Sequence, residues 1–268
     1  RRDFDCSGAS IFFIYHIYRV YSAGSNMRII HYIRCLRIRQ WTKNILIFAA
    51  LIFSNNANNL EYVLTCLYAF LIFSFGAGAV YVFNDIHDIA CDRKHPLKRF
   101  RPIAAGDVSI KAGWLYLIVL SAGSLAAAFL LHVNFGYVLL TYFLLQAMYT
   151  FYLKNMLIVD VFAISSGFPL RVIAGAVVID VIFSKWILVC TFLLALFLAL
   201  SKRRHELTIL PDNAAAHRNV LRKYSTYLLD QMIGVVASAT LVAYIIFTLS
   251  ETTIAKFGNM VLTVPFVL

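Results

Sequence analysis

Apolar runs separated by short polar breaks divide this chain into hydrophobic segments at 41–53, 60–83, 112–131, 135–152, 158–179, 185–200 and 227–249. Another run begins near residue 258 and is still apolar at residue 268, so it reads as a helix cut short. Most segments approach the roughly 20 residues that carry an α-helix across a bilayer. In lipid a helix satisfies its own backbone hydrogen bonds, which strands without closure do not. The pattern therefore predicts an all-α, polytopic membrane helix bundle with about eight transmembrane helices, the last truncated. The first segment is short and is expected to continue backwards through the amphipathic residues 33–38. Residues 1–27 contain one apolar piece, 11–18, broken by His16. It is too short to span and lacks a small-residue cleavage site after it, so it reads as an extension of unclear structure. Residues 28–268 then form a single, C-terminally incomplete transmembrane domain.

Composition agrees with this picture. The chain is 61% hydrophobic and 14% charged, against about 45–50% and about 25% for soluble domains. The formal net charge of +11 suggests nucleic acid, but the apolar runs exclude a soluble nucleic-acid binder. The cations instead alternate between loops. Arg34, Arg37, Arg39 and Lys43 precede or open the first segment, and Arg93, Lys94, Lys98, Arg99 and Arg101 follow the second. Lys154 follows the fourth, and Lys202, Arg203 and Arg204 follow the sixth. The intervening loops carry almost none. Basic loops stay cytoplasmic, so the N-terminus and every chemically rich loop are expected on the cytoplasmic face. The five cysteines are widely spaced, without metal-ligand or disulfide spacing, and read as small apolar fillers. Gly76-Ala77-Gly78-Ala79 lies inside an apolar helix with no strand before it, so it reads as close helix packing rather than a nucleotide loop.

The candidate chemistry is concentrated in Asn84-Asp85-Ile86-His87-Asp88-Ile89-Ala90-Cys91-Asp92. Only thirteen Asp and Glu occur in 268 residues, and three fall in this nonamer at the end of a membrane segment. Carboxylates there are costly unless they have a task. As one helix, Asn84, Asp88 and Asp92 share a face at i, i+4 and i+8. With Asp85 they form an oxygen-ligand set suited to Mg²⁺ and, through it, a diphosphate. Simple neutralisation of neighbouring cations is the plainer alternative for a lone Asp, and it weakens for three. The block Lys98-Arg99-Phe100-Arg101-Pro102 follows, and Arg forks suit phosphate oxygens. Tyr149 and Lys154 mark the turn between the fourth and fifth segments, and Asp160 lies just inside the fifth. Arg171 is eleven residues on, about 16 Å along a helix, so the two are not expected to pair. A mid-helix Arg is costly in lipid and is expected to line a polar pocket. Lys202-Arg203-Arg204-His205-Glu206 stands where the sixth segment is expected to leave the membrane. Its cations serve either as compensation of the helix dipole or as a phosphate clamp. The stretch from Pro211 towards Lys223 is expected to cap the site.

These blocks carry a resemblance. Asn84 to Asp92 is similar to the Asn-Asp-x-x-Asp-x-x-x-Asp motif of the UbiA-type intramembrane prenyltransferases. Arg39-Gln40-Trp41-Thr42-Lys43-Asn44, Lys98-Arg99-Phe100-Arg101-Pro102, Leu170-Arg171-Val172-Ile173-Ala174-Gly175 and Lys202-Arg203-Arg204-His205-Glu206-Leu207 resemble the decaprenyl-phosphate phosphoribosyltransferase branch. The resemblance covers roughly residues 34–268. It implies a nine-helix fold around a central cavity, of which this chain would lack the last helix. It also implies Mg²⁺ at Asn84, Asp85, Asp88 and Asp92, with Asp85, Asp88 and Asp92 catalytic. Lys43, Asn84, Lys98, Arg99, Arg101, Tyr149, Lys154, Asp160, Arg171, Lys202 and Arg203 become candidates for substrate binding. Ordinary members carry a second acidic cluster after the sixth helix, whereas this chain is basic there. That departure favours a donor with an additional phosphate. The expected reaction moves a 5-phosphoribosyl group from phosphoribosyl diphosphate to a polyprenyl phosphate at the cytoplasmic face of a bacterial inner membrane. The alternative is transfer of an isoprenyl group from prenyl diphosphate to an aromatic acceptor. An ion-coupled carrier is disfavoured, because no internal repeat is visible. Beyond the two substrates and membrane lipids, no partner is implied.

Overall fold

The computed structural model describes residues 27–54, 56–182, 184–209 and 224–258. The N-terminal extension, the expected cap at 211–223 and most of the expected last helix lie outside the described residues. Helix α1 (Met27–Cys35) leads into a 3₁₀ segment (Ile38–Phe48) and the short α2 (Ala49–Phe53). The long α3 (Leu60–His87) is followed by α4 (Ile89–Lys94), a 3₁₀ turn (Lys98–Phe100) and α5 (Pro102–Ala105). Then come α6 (Ile110–Leu131), α7 (Val133–Phe151), a 3₁₀ turn (Leu153–Asn155), α8 (Val159–Val178), α9 (Lys185–Ile209), α10 (Thr226–Leu249) and α11 (Glu251–Phe257). Local chemistry sets several starts. Asn59 accepts from the amides of Glu61 and Tyr62 at the head of α3, while Ser109 and Ser225 cap α6 and α10. Pro102 opens α5, and Gly106, at φ +87°, closes it.

The protein is an all-helical integral membrane bundle. By length and composition α3, α6, α8, α9 and α10 can each cross a membrane. The 19-residue α7 runs among them and is diluted by Asn134, Gln146 and several tyrosines. Successive long helices pack on one another, and the 3₁₀ segment lies between α3 and α8. The main core is formed by Phe73 and Ala77 of α3, Ile47, Leu139 and Tyr142, and Ala174 of α8. A second core joins Val161, Leu196, Leu200, Tyr224 and Leu229. Phe247 of α10 meets Phe53 with ring centroids 6.0 Å apart, which ties the last long helix to the short α2. About half of the spanning stretches of α3 (50%) and α8 (56%) is buried, against 11% for α6, so α3 and α8 are the interior pair. The outward apolar side chains, such as Leu115, Ile118, Leu198 and Val242, suit hydrocarbon.

Four details differ from expectation. The first segment does not continue backwards as one helix. The backbone turns at Arg37, which adopts φ +50°, ψ +54°, and residues 38–48 are 3₁₀. That tighter coil rises about 2 Å per residue. The eleven residues of the 3₁₀ segment and the five of α2 therefore reach roughly 30 Å, about a hydrocarbon thickness, where a plain α-helix of that length would fall short. The acidic nonamer is not one uninterrupted helix, because α3 ends at His87 and Asp88 (ψ +10°) stands at the joint. The sixth segment runs on to Ile209, so Lys202, Arg203 and Arg204 lie within α9 rather than at its end. The expected loop at Glu251–Phe257 is the helix α11.

Close approach has a sharp requirement at Gly175. A Cβ there would stand 1.8 Å from the Ile47 carbonyl oxygen. Backbone cannot yield as a side chain can, so α8 meets the 3₁₀ segment only through glycine. Gly175→Ala is expected to destabilise the purified protein by about 3 kcal/mol or more. Gly123→Ala, which meets nothing within 4 Å, should be neutral or stabilising. Thermal unfolding of the two variants in one detergent checks the contrast.

Candidate active site

The acidic residues gather at one end of the bundle, each against a cation or donor from another element. Asp85, on the last turn of α3, is 2% exposed. Its Oδ1 accepts from Arg37 and, at 3.0 Å, from Arg101. The same Arg101 Nη1 donates to Oδ2 of Asp92 at 2.6 Å. One cationic nitrogen therefore marks the point where the two buried carboxylates converge. Asp88, at the helix joint, has a different partner and receives Lys154 Nζ at 2.8 Å. Asn84 Oδ1 accepts from the hydroxyl of Thr150, which is itself buried on α7. Arg37 reaches Asp85 from its left-handed turn, stacked over Tyr81 with the guanidinium 5.0 Å from the ring centre. The joint at Asp88 explains the split, since it lets Asp85 and Asp92 meet while Asp88 turns to the Lys154 loop. Among the described residues no three His, Cys, Asp or Glu side chains are gathered as a ready metal cluster. The hard oxygen donors of Asp85 and Asp92, converging on one positive nitrogen, nevertheless fit a divalent cation shared with substrate oxygens.

Two further groups flank this one. Lys43 of the 3₁₀ segment is near enough to Arg37, Arg171 and Lys202 for their charges to act on it. Four cations therefore influence one another here, and of these Arg37 also holds Asp85. Such a concentration of like charge is unfavourable alone and attracts an anion. On the α8–α9 side, Asp160 is wholly buried and Arg203 is 4% exposed. Arg203 Nε donates to Asp160 at 3.2 Å and its Nη1 to Glu206 at 2.7 Å. The other Asp160 oxygen accepts from the Tyr224 hydroxyl at 2.6 Å. The Tyr149 hydroxyl is buried and has no hydrogen-bond partner among the described residues. It lies close enough to Arg203 to influence that guanidinium. An orphaned buried hydroxyl is costly, and a substrate oxygen would satisfy it.

Arg171 has other company. It is 5% exposed. It donates to Asn44 Oδ1 at 2.7 Å and to the Gly167 carbonyl, and lies over Phe73, Tyr142 and Phe168 at 5.1–5.5 Å. Asn44 in turn donates to Ser74 at 2.9 Å. The expected separation from Asp160 holds, since Asp160 binds Arg203 and Tyr224 instead. Lys98 and Arg99 lie on the 3₁₀ turn, with Arg99 exposed and folded over Phe100 at 4.8 Å. Sequence reasoning did not single out Arg37, Asn44, Thr150 or Tyr224. The pairs they make bridge 127, 66, 64 or 48 residues of chain, and no local spacing foretells them. Cys35, buried beneath Asp85, has its thiol pushed up to about 12, chiefly by burial, as suits an inert filler.

Asp160→Asn keeps shape but leaves Arg203 with one carboxylate in a buried site. The cost expected from breaking a buried pair is about 3–5 kcal/mol. A melting temperature close to that of the unsubstituted protein would show that the pair does not hold α8 to α9.

The sequence profile described as the UbiA prenyltransferase family matches residues 45–268. The decaprenyl-phosphate phosphoribosyltransferase of Mycobacterium tuberculosis is 38% identical over 201 residues, 73% of this chain and 67% of that protein. The protein of the same name from Mycolicibacterium smegmatis is 35% identical over 217 residues, 79% of this chain and 68% of that one. In three dimensions the chain is similar to a UbiA homolog from Archaeoglobus fulgidus bound to GPP and Mg²⁺. That match has a TM-score of 0.69 at 20% identity, covering 88% of this chain and 83% of that one. A digeranylgeranylglyceryl phosphate synthase gives a TM-score of 0.64 at 18% identity, covering 90% of this chain and 91% of that chain. From its profile match, its relatives and its fold, the chain belongs to the UbiA prenyltransferase family and is a membrane transferase.

Proposed function

We propose that the protein transfers a 5-phosphoribosyl group from phosphoribosyl diphosphate to a polyprenyl phosphate of the decaprenyl type. The observation that carries this reading is the pairing of Asp85, Asp92 and Asp88 with Arg37, Arg101 and Lys154 from separate stretches of the chain, together with the further cations Lys43 and Lys202, which act on each other and on the Arg37 side. Relatives named decaprenyl-phosphate phosphoribosyltransferase support it, as does the basic block Lys202-Arg203-Arg204 on α9. A prenyl diphosphate carries its charge at one end only. A phosphoribosyl donor and a lipid phosphate together bring a diphosphate, a 5-phosphate and a lipid phosphate, which suits this excess of cations.

Asp85 and Asp92 would hold Mg²⁺, with Asn84 and Asp88 beside them, and the ion when bound supplies charge that favours departure of diphosphate. Arg37 and Arg101, which pair with the same carboxylates, would stabilise the negative charge that grows on the leaving oxygen as the anomeric C–O bond breaks. The electron pair of that bond leaves with diphosphate. A lipid phosphate oxygen forms the new bond to the anomeric carbon. The attacking oxygen is already anionic near neutral pH, so no side chain has to remove a proton. Lys154, Lys43 and Lys202 are placed to hold phosphate oxygens, with Lys98 and Arg99 at the exposed rim. The Tyr149 hydroxyl offers its proton to one of those oxygens. Arg171 acts from inside by fixing Asn44, the neighbour of Lys43. Asp160 and Arg203 set the α8–α9 wall, and the apolar helices enclose the prenyl tail. Catalysis would occur at the cytoplasmic face of the bacterial inner membrane, with the N-terminal side inward, in keeping with the charge asymmetry of the loops.

The second reading, prenyl transfer to an aromatic acceptor, is supported by the neighbouring structure whose ligand is GPP with Mg²⁺. Purified protein given labelled phosphoribosyl diphosphate, polyprenyl phosphate and Mg²⁺ should release diphosphate and label the lipid, and chelation should stop both. Turnover of prenyl diphosphate with an aromatic acid, and none of phosphoribosyl diphosphate, would replace this reading by the second. Asp85→Asn and Asp92→Asn should each lower kcat by about 10²-fold or more, measured at a temperature where circular dichroism shows each variant folded.

A further inference from the structure

Ile158 adopts φ +68°, ψ −46° immediately before α8. A β-branched residue rarely occupies that region, and the surroundings must hold it there. Two bonds hold it: the Val159 amide donates to the Leu157 carbonyl at 2.8 Å, and the Ile158 amide donates to the hydroxyl of Tyr224 at 2.9 Å. That hydroxyl donates onward to Asp160 at 2.6 Å. Tyr224 is 6% exposed, and its ring packs with Val161, Leu200 and Leu229. Its own acidity is suppressed, first by burial and then by the bond to Asp160, so the proton stays on the phenol. One hydroxyl thus ties two pieces of the site. Upstream, it fixes the end of the turn that carries Lys154, whose ammonium sits on Asp88 at 2.8 Å. Downstream, it orients Asp160, which grips Arg203 beside the orphaned Tyr149 hydroxyl. Lys154 and Arg203 lie on different elements, and Tyr224 precedes a third.

We propose that Tyr224 is a positioning residue for the polyphosphate site, setting Lys154 and Arg203 at a fixed separation through Ile158 and Asp160. The inference rests on the proposed phosphoribosyl transfer only for the identity of the donor. The positioning itself concerns any diphosphate bound beside Asp85 and Asp92. Tyr224 does not touch substrate, so its removal should act on binding more than on bond breaking.

Tyr224→Phe keeps the packed ring and deletes the hydroxyl. The probe is inorganic diphosphate with Mg²⁺, titrated calorimetrically into the full-length purified protein, together with steady-state kinetics on phosphoribosyl diphosphate. We expect Kd for diphosphate and KM for the donor to rise about tenfold with kcat changed far less, the size expected for a misplacement of under about 1 Å. Hydrogen exchange at the Ile158 amide should quicken. Adding Ile158→Gly, which removes the strain of the positive-φ turn, should restore part of the binding. The exposed Tyr227→Phe should leave everything unchanged. A lower melting temperature with unaltered Kd and KM would overturn the proposal in favour of packing alone. Failure of the unsubstituted protein to bind diphosphate would overturn it as well. If that protein binds diphosphate but transfers no phosphoribosyl group, and Tyr224→Phe still weakens the binding, the positioning role stands and the donor assignment fails.

Discussion

Buried carboxylates at the edge of a membrane demand positive charge, and the site is organised around that demand. Asp85 and Asp92 are almost wholly enclosed, and their charges are costly there without partners. Arg101 serves both with one nitrogen, and Arg37 serves Asp85 from a left-handed turn. Each cation comes from a different stretch of chain. The fold has to bring the N-terminal 3₁₀ segment, the end of α3 and the loop beyond α4 to one place before any chemistry is available. The same economy recurs on the other wall, where Asp160 is shared between Arg203 and Tyr224.

The helices supply the rigidity this arrangement needs. Interior α3 and α8 carry small residues where backbones meet, and Gly175 lets the Ile47 carbonyl pass. The 3₁₀ coil lengthens a stretch that would be too short as α-helix, and it places Lys43 and Asn44 on successive positions. Asn44 turns inward to Ser74 and Arg171, while Lys43 remains among the cations near Lys202. A buried guanidinium with amide, carbonyl and aromatic neighbours, rather than a carboxylate, locks the segment without consuming one of the scarce acids.

Much of this was legible in the sequence because lipid enforces simple patterns. The long helices follow the apolar runs to within a few residues at most ends, and the all-helical membrane class follows from their length and composition. The acidic nonamer and its basic neighbours stand out because charge is rare in such a chain. What local reading misses is long-range or conformational. The break at Arg37 and the joint at Asp88 depend on contacts between distant segments, and so does the pairing of Asn84 with Thr150. Arg171 reads as a pocket-lining cation by its cost in lipid, yet aromatic rings and Asn44 surround it. Tyr224 had no signal in the sequence, since its role comes from an isoleucine backbone held in an uncommon conformation and an aspartate 64 residues away.

The central claim is that the Asp85–Asp92 pair and the surrounding cations form one site for a metal-bound diphosphate. Calorimetric titration of the purified protein with Mg²⁺ alone, diphosphate alone and both together tests it most directly. Coupled binding, in which each ligand tightens the other and Asp92→Asn abolishes the coupling, is the predicted result. Independent binding of the two, unchanged by Asp92→Asn, would contradict the account.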